Sequence, residues 1–240
     1  MSRKVAVIGQ GELYEKVTRF LTDRGIEVPD TVALDLSGVA ALIDLEAGTD
    51  ERHRDWLTVL EENLPEHVPV FTSVLHRTAT EIASWLKRPE RVVGFSPLFL
   101  SEMTLLEVSR PLQAEESASW ERHLEFWNEL GKEVEMVGDE PGLVFPRTLA
   151  LLVNEASFAL MENVASREDI DLAMRKGTNW PHGPLAWADL AGIDRIVDIL
   201  SGLHRETGDD RYRPAPLLRK MVYAGWTGKA AGRGFYRYEA

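Results

Sequence analysis

The segment from Pro141 to Ala165 constrains the fold more than any other part of the chain. Its apolar residues fall on almost every side of a helical wheel, and the main interruptions are Asn154, Glu155 and Ser157. A helix that is apolar nearly all round must be covered on several sides. Arg147, with Asn154 and Glu155, also breaks the run of roughly 20 apolar residues that a membrane-spanning helix needs. The sequence therefore predicts a long buried helix at the centre of a helical domain.

Composition narrows the class of protein further. The 240 residues include no cysteine, which excludes disulfides and thiolate nucleophiles and fits a reducing cytosol. A formal net charge of -12 argues against general nucleic-acid binding, because phosphate backbones are held mainly by lysine and arginine. The first four residues lead directly into an apolar strand, so we expect no signal peptide, no membrane segment and a cytoplasmic protein.

The beginning of the chain has the pattern of a nucleotide-binding turn. An apolar run ends at Gly9, is followed by Gln10 and Gly11, and leads into an amphipathic segment that starts at Glu12. Glycines at such a strand-to-helix turn let the backbone approach a pyrophosphate. Gly9, Gln10, Gly11 and Glu12 are therefore the candidate cofactor-binding residues at this turn.

Three departures weaken this motif. Its third glycine position holds Tyr14, which should push the helix away from the strand or turn outward. Glu12 and Glu15 place carboxylates in the first helical turn, where they repel a phosphate. Asp30 is the best candidate for an acid that binds the adenine-side ribose, but Pro29 precedes it, and a solvated turn residue is the alternative.

The pattern of the first half predicts an α/β domain. Apolar strand segments alternate with helical segments up to a final strand, which indicates a shortened, doubly wound parallel sheet of the Rossmann-like class. The expected strands are residues 4–9, 39–46, 68–74, 91–95 and 133–137, and the expected helices are 12–23, 51–64, 80–87 and 120–131. Beyond a break at 138–142 every segment is helical. We therefore expect a dinucleotide-binding domain at 1–138 and an all-α domain at 139–240.

Several motifs together resemble the 3-hydroxyacyl-CoA dehydrogenase family. The second half resembles the family's C-terminal domain, and its segment 180–189 is similar to the second helical domain of long, duplicated bacterial members associated with phenylacetate breakdown. The motifs of the second half are residues 154–156, 165–174, 180–184, 213–218 and 232–238, and those of the first half are 71–75, 81–83 and 87–94.

The resemblance implies NAD-dependent oxidation of a 3-hydroxyacyl-CoA by a histidine base that a glutamate orients. The histidine position is Ser96 in this sequence, and the glutamate is Glu107, with an interval one residue shorter than the family's. Ser73 matches a serine that contacts substrate and cofactor, and the asparagine position is Pro146. Most of the segment that walls the family's adenosine pocket is missing between Gly25 and Val39. These changes predict impaired or lost activity.

Alternative roles for these residues remain open. Glu107 either binds a substrate oxygen or pairs with a nearby arginine, and Ser96 as a nucleophile lacks a base in its sequence context. His76 is the one histidine that we consider as a replacement base, against a solvated histidine at a helix start. We expect His53, His67, His123 and His204 to face water, and Lys87, Arg88 and Arg91 either to meet coenzyme A phosphates or to lie in an exposed basic loop.

Three hypotheses follow for the function. The chain is a divergent NAD-dependent dehydrogenase, a non-catalytic dimeric protein that binds acyl-CoA or a protein partner, or an enzyme with different chemistry in a remodelled cleft. No histidine pair has metal-ligand spacing with carboxylate support, so we predict no metal. The apolar surface of the helical domain exceeds what about 100 residues normally bury, which predicts a homodimer through that domain.

Overall fold

The computed structural model describes residues 3–29, 36–46 and 51–239. The chain divides into two compact units between Leu143 and Val144, whereas the sequence pattern placed the boundary at 138. The N-terminal unit, up to Leu143, contains the strands β1 Lys4–Ile8, β2 Val39–Asp44, β3 Val70–Ser73, β4 Val92–Phe95, β5 Leu105–Ser109 and β6 Glu133–Val137. Its helices are α1 Gly11–Thr22, α2 Glu51–Asn63, α3 Ala79–Ala83 and α4 Trp120–Glu129.

The six strands form one sheet in the order β1-β2-β3-β4-β5-β6. Strands β1 to β4 are parallel, as the alternating pattern predicts. Strand β5 pairs antiparallel with β4 and parallel with β6, so the prediction of a wholly parallel sheet is wrong for these two strands. Glu27 bridges to Lys4 on the other side of β1. The chain therefore changes its direction of winding at β1, which is where a Rossmann-like sheet binds its dinucleotide.

Both faces of this sheet are covered by apolar layers. One layer contains α1 and α4 side chains, among them Phe20, Phe126 and Trp127, and the other contains residues of α2 and α3 such as Leu57 and Ile82. Tyr14 is half-buried against the first layer, so α1 still packs on the sheet where the motif expects a glycine. Helices on both faces confirm the doubly wound Rossmann-like class.

The C-terminal unit, from Val144, is helical, as predicted. Its helices are α5 Phe145–Met161, α6 Arg167–Thr178, α7 Pro184–Ala191, α8 Ile193–Thr207 and α9 Pro216–Tyr223. The central helix α5 is shorter than the predicted span of 141–165. Gly142 and Leu143 precede it with positive φ angles of 77° and 51°, and Asn163 follows it with a φ of 57°. These left-handed residues end the helical hydrogen bonding at both sides.

Three buried polar side chains connect distant segments of the C-terminal unit. Asn154 on α5 donates to the carbonyl of Arg213 at 3.0 Å and accepts from the amide of Ala215 at 2.8 Å. Asp171 on α6 accepts the first amides of α7, Leu185 N and Ala186 N, at 2.8 and 2.9 Å. A buried polar group without a partner is costly in free energy. Any arrangement of the helices that broke these bonds would therefore be less stable.

Asp189 on α7 holds the C-terminal segment in the same way. Its carboxylate accepts from Phe235 N at 2.8 Å, Tyr236 N at 2.9 Å and the Tyr238 hydroxyl at 3.0 Å. A Cβ atom at Gly234 would overlap this carboxylate, so the close approach requires glycine. The aromatic segment Phe235–Tyr238 therefore packs on the body of the unit.

Candidate active site

Ser96 and Glu107, which the sequence analysis predicts as the positions of a catalytic pair, lie side by side, Ser96 directly after β4 and Glu107 on β5. Phe95 of β4 pairs with Val108 of β5, and the Ser96 amide donates to the Glu107 carbonyl at 3.2 Å. Residues directly opposite in an antiparallel pair have Cβ atoms roughly 4.5–5.5 Å apart and point to the same face of the sheet. The missed strand β5 is therefore what brings Ser96 beside Glu107.

Ser73 occupies the neighbouring strand but the other face. It ends β3 and pairs in register with Phe95, whose ring belongs to the layer formed with α1 and α4. Since side chains alternate along a strand, Ser73 follows Phe95 toward that layer, whereas Ser96 lies on the opposite face. The predicted roles of Ser73, Ser96 and Glu107 stay predictions, although the three backbones meet at one edge of the sheet.

The Ser96 hydroxyl is buried without a hydrogen-bond partner in the described part of the chain. Ser96 and Glu107 are 6% and 8% exposed, so both polar side chains are almost fully withdrawn from water. A hydroxyl donates and accepts hydrogen bonds but does not titrate near neutral pH, in contrast to imidazole with its usual pKa of roughly 6.5. As it stands, the pair holds a carboxylate and a neutral hydroxyl and contains no imidazole base.

A buried lysine holds the loop between Ser96 and Glu107. The ammonium of Lys132 donates to the carbonyls of Leu100 and Met103, the latter at 2.6 Å. Burial lowers the pKa of this ammonium, and the charge of Arg24 lowers it further. Phe99, in the same loop, has a φ of 58°, a conformation that is rare for a bulky side chain. The loop therefore has a defined shape that Lys132 stabilises.

Gly94 and Asp139 position the strand that leads into Ser96. The Asp139 carboxylate accepts from Ala79 N and Thr80 N at the start of α3, and from the Ser109 hydroxyl, each at 2.8 Å. A Cβ atom at Gly94 would overlap the Ser109 hydroxyl. The glycine before the candidate site is therefore explained by the close packing of α3 and β5 on β4.

The turn after β1 fits a pyrophosphate in its backbone but only partly in its side chains. Gly9 and Gly11 have φ angles of 140° and 75°, which favour glycine, and α1 begins at Gly11 with its first amides available. Glu12 lies in that first turn, where Lys16 pairs with it at 2.7 Å and partly offsets its charge. Asp30, the predicted ribose acid, lies outside the described residues.

Two histidines that were expected to face water are buried. His53 on α2 donates through Nε2 to the Asp44 carboxylate at 3.0 Å, and the Thr72 hydroxyl donates to the same carboxylate at 2.8 Å. His123 on α4 is also buried, and only 2% of its surface is exposed. The prediction was wrong for both because polar sequence neighbours do not report how a helix faces the sheet.

The other four histidines and the basic residues Lys87, Arg88 and Arg91 differ in how far they are buried. His67 and His182 are exposed, and His76 and His204 are half-buried, with His204 lying 3.5 Å from Asp210. Arg91 is not in an exposed loop, since it pairs with Glu61 at 2.6 Å in the interior. Lys87 and Arg88 pair with acidic residues at the surface.

Pro146, at the asparagine position, is the second residue of α5 in the C-terminal unit. Proline fits the first helical turn because the missing amide proton has no intrahelical acceptor there. Within residues 3–29, 36–46 and 51–239, no three metal-ligating side chains come together. In the same ranges, no helix has the length and apolar character to cross a bilayer.

Comparison with known proteins agrees with this architecture. The family model described as the 3-hydroxyacyl-CoA dehydrogenase C-terminal domain matches residues 142–238. A probable 3-hydroxybutyryl-CoA dehydrogenase of Bacillus subtilis is 42% identical over 183 residues, which cover 75% of this chain and 63% of the relative. The 3-hydroxybutyryl-CoA dehydrogenase of Clostridioides difficile is 35% identical over 85% of this chain and 73% of its own length.

A solved structure shows the same relationship over the full chain. The (S)-3-hydroxybutyryl-CoA dehydrogenase of Ralstonia eutropha superposes with a TM-score of 0.78 at 26% identity and covers 100% of both chains. The Rossmann-like unit and the helical unit together define the fold class, and the matched segments span 63% and 54% of the length of two of the curated relatives. The chain belongs to the 3-hydroxyacyl-CoA dehydrogenase family.

Proposed function

We propose that this chain is a 3-hydroxyacyl-CoA dehydrogenase relative in which NAD-dependent oxidation of 3-hydroxyacyl-CoA is impaired or lost. The observation that carries the proposal is the buried Ser96 hydroxyl beside Glu107, at the position of the family's histidine. Oxidation of an alcohol needs a group that takes the hydroxyl proton as the hydride leaves, and such a base contributes roughly 10²–10⁴-fold in rate. The proposal therefore depends on the residue type at position 96, since a serine hydroxyl does not titrate near neutral pH.

Binding of the family's ligands is a separate part of the proposal. NAD supplies a hydride acceptor when it is bound, and the backbone of Gly9, Gln10 and Gly11 would hold its pyrophosphate. The opposing charge of Glu12 and the shortened segment after Gly25 weaken that site. The alternative function is therefore a non-catalytic protein that binds acyl-CoA and serves a partner.

We expect a homodimer through the helical unit both for the impaired dehydrogenase and for the non-catalytic alternative. One side of α5 carries half-exposed apolar residues at helical spacing: Leu151, Leu152, Phe158 and Ala159. Exposed Glu155 lies within this face, and a largely apolar face of this kind is typical of a helix that packs on another element. We expect a mass in solution of about twice the 27.0 kDa chain, measured by light scattering. A monomer at micromolar concentration would contradict the dimer but not the rest of the proposal. A cytoplasmic location stays a prediction.

The decisive experiment compares the protein with a Ser96→His variant. NADH and acetoacetyl-CoA are supplied, and NADH oxidation is followed by absorbance while ligand binding is followed by thermal shift. We expect weak or absent turnover with Ser96, a thermal shift with acyl-CoA, and a turnover increase of roughly 10²–10⁴-fold in Ser96→His.

A matched control is Ser101→His, which adds an imidazole to an exposed position of the same loop. It should leave turnover unchanged. Substantial turnover of the unmodified protein, with Ser96→Ala equally active, would show that another base acts and would overturn the proposal. A thermal shift without any turnover supports the non-catalytic alternative.

A further inference from the structure

The last part of the C-terminal unit has a charge opposite to that of the rest of the chain. Residues 211–238 contain seven lysines and arginines and no aspartate or glutamate. Their seven positive charges leave a net charge of -19 on the rest of a chain whose total is -12. Arg211 and Arg213, at the beginning of this segment, pair with Asp209 and Asp210. The uncompensated positive charge therefore lies in the residues after Arg213.

Exposed aromatic rings lie beside these later basic residues. Arg219 and Lys220 on α9 are exposed and precede Tyr223 by four and three residues, a spacing that makes side chains neighbours on a helix surface. Tyr223 is 84% exposed. The Arg233 guanidinium stacks on the Trp226 ring, 3.3 Å from its centre, and Trp226 is 37% exposed. With exposed Lys229, these residues define a basic aromatic surface: Arg219, Lys220, Tyr223, Trp226, Lys229 and Arg233.

The positive charges of this surface have no counter-charge in the structure. None of its four basic side chains forms an ion pair within residues 3–29, 36–46 and 51–239. In addition, Arg233 lies directly opposite Arg237 in an antiparallel bridge. Residues opposite one another in such a bridge place their side chains on the same side, where like charges reduce stability. An arrangement that is unfavourable for the chain alone points to an anion that comes from another molecule.

Hydrogen bonds hold the backbone under this surface. The Lys229 amide donates to the Asp189 carbonyl at 2.8 Å, and Gly228 and Arg233 exchange two backbone hydrogen bonds of 2.8 and 3.1 Å. Gly228 has a φ of 127°, and a Cβ atom there would overlap the Asp189 carbonyl, so this close approach requires glycine. A surface that is ordered beforehand loses less conformational freedom when a partner binds.

We propose that the basic aromatic surface binds an acidic segment of a partner protein. Tryptophan, tyrosine and arginine are the residues most enriched at the energetic hot spots of protein interfaces, and this surface presents all three. A nucleic acid or an anionic membrane would bring many more negative charges close to a chain whose remaining part carries -19. A short acidic segment contacts the surface alone. This interaction is independent of whether the protein oxidises 3-hydroxyacyl-CoA.

A designed peptide tests the charge and the aromatic contact separately. The probe is a fluorescein-labelled peptide rich in glutamate with leucines at its centre, and its binding to the full chain is measured by fluorescence anisotropy. A second peptide has lysine in place of glutamate, and a third has serine in place of leucine. The acidic peptide should bind, and the lysine peptide should not. Affinity should fall at least about tenfold when salt rises from about 0.1 M to about 1 M, because the Debye length falls from about 10 Å to about 3 Å.

Substitutions at exposed positions locate the binding. Lys220→Glu reverses one charge of the surface, and Tyr223→Ser removes one ring. Each should weaken binding of the acidic peptide at least about fivefold, the loss expected for a hot-spot residue. Replacing the peptide's leucines by serine should weaken binding to the unmodified protein but not to Tyr223→Ser.

Matched control variants make the same kinds of change at exposed positions outside the surface. Lys176→Glu reverses a charge on α6, and Leu112→Ser removes an exposed apolar side chain of the N-terminal unit. Both should leave binding of the acidic peptide unchanged. A melting curve for each variant verifies that it is folded.

Each contrary result overturns the proposal for a different reason. No binding of the acidic peptide, or equal binding of the lysine peptide, would mean that the surface does not recognise acidic segments. Binding that survives both Lys220→Glu and Tyr223→Ser would place the peptide elsewhere. Tighter binding of a single-stranded oligonucleotide or of phosphatidylserine vesicles, lost in Lys220→Glu, would assign the surface to another class of partner. A halved mass of Lys220→Glu in light scattering would assign it to a second copy of the chain.

Discussion

The two units differ in whether the buried polar side chains compared here have hydrogen-bond partners. In the C-terminal unit, Asn154, Asp171 and Asp189 all lie in motifs that resemble the family, and each is buried with at least two hydrogen bonds. In the N-terminal unit, the buried hydroxyl of Ser96 has no hydrogen-bond partner among the residues that the structure describes. The buried polar groups of the helical unit are therefore explained by the connections they make, whereas the buried hydroxyl of Ser96 has no such structural explanation.

The largest expected effect comes from removing the Asp189 carboxylate, the tether that holds the C-terminal segment on α7. Asp189→Ala leaves two buried amides and the Tyr238 hydroxyl without their acceptor, and each unsatisfied donor costs about 1–3 kcal/mol. We expect the free energy of unfolding to fall by about 5 kcal/mol, measured by urea denaturation. Asp189→Asn keeps one acceptor and should lose less. A loss below about 1 kcal/mol in Asp189→Ala would show that the tether is not what holds the tail.

The carboxyl of Asp198 on α8 should have the opposite effect on stability. Burial, and then the charge of Asp194, raises the pKa of Asp198 on α8 to about 7. Because the folded pKa lies above the unfolded value of roughly 3.9, stability falls as pH rises from about 4 to about 7. Asp198→Asn should therefore raise the free energy of unfolding at pH 8 by up to about 4 kcal/mol and change it little at pH 4.

The control for this prediction is Glu206→Gln on the same helix. It lies near the surface, so it should leave the pH dependence of unfolding unchanged. Equal destabilisation of Asp198→Asn at both pH values would mean that the carboxylate makes a favourable interaction and would reverse the argument.

The N-terminal unit should show the reverse pH dependence. Burial, followed by the charges of Arg122 and Arg91, lowers the pKa of His123 to about 4. The unfolded imidazole titrates near 6.5, so the unfolded state binds the proton first and stability is lost as pH falls from about 6.5 to 4. The loss should reach about 3 kcal/mol at pH 4. Hydrogen exchange read in peptides of this unit measures it.

His123→Gln should flatten this acid dependence, whereas His67→Gln, at an exposed position, should not. Peptides of the C-terminal unit serve as an internal reference, because Asp198 predicts a gain in stability there over much of the same pH range. Parallel acid profiles in the two units would contradict the contrast between their buried groups.

The smallest expected effect concerns the loop beside the changed site. Lys132→Met keeps the length of the side chain but removes the donors to the Leu100 and Met103 carbonyls. The loss of these bonds is partly offset because the buried charge is removed as well, so we expect about 2 kcal/mol of destabilisation. Lys132→Arg, which keeps a cation, should lose less. A fully stable Lys132→Met variant would show that the loop keeps its shape without the ammonium.

Local sequence patterns predicted much of the fold and part of the site. The turn from β1 to α1 and the final strand Glu133–Val137 depend on residues close in the chain, and the structure confirms them. Strand β5 was missed because its alternation is short and interrupted by Glu107. The antiparallel pairing that places Ser96 opposite Glu107 was missed with it.

By itself, the sequence determined the two structural classes and the family, because each depends on residue identity and local spacing. Only the tertiary structure decided that His53, His123 and Arg91 are buried and that β5 reverses the sheet direction. It also decided that the buried side chains of Asn154, Asp171 and Asp189 connect distant segments. The reason is physical: burial and strand pairing are set by which distant segments exclude water from one another, and no local pattern records that choice.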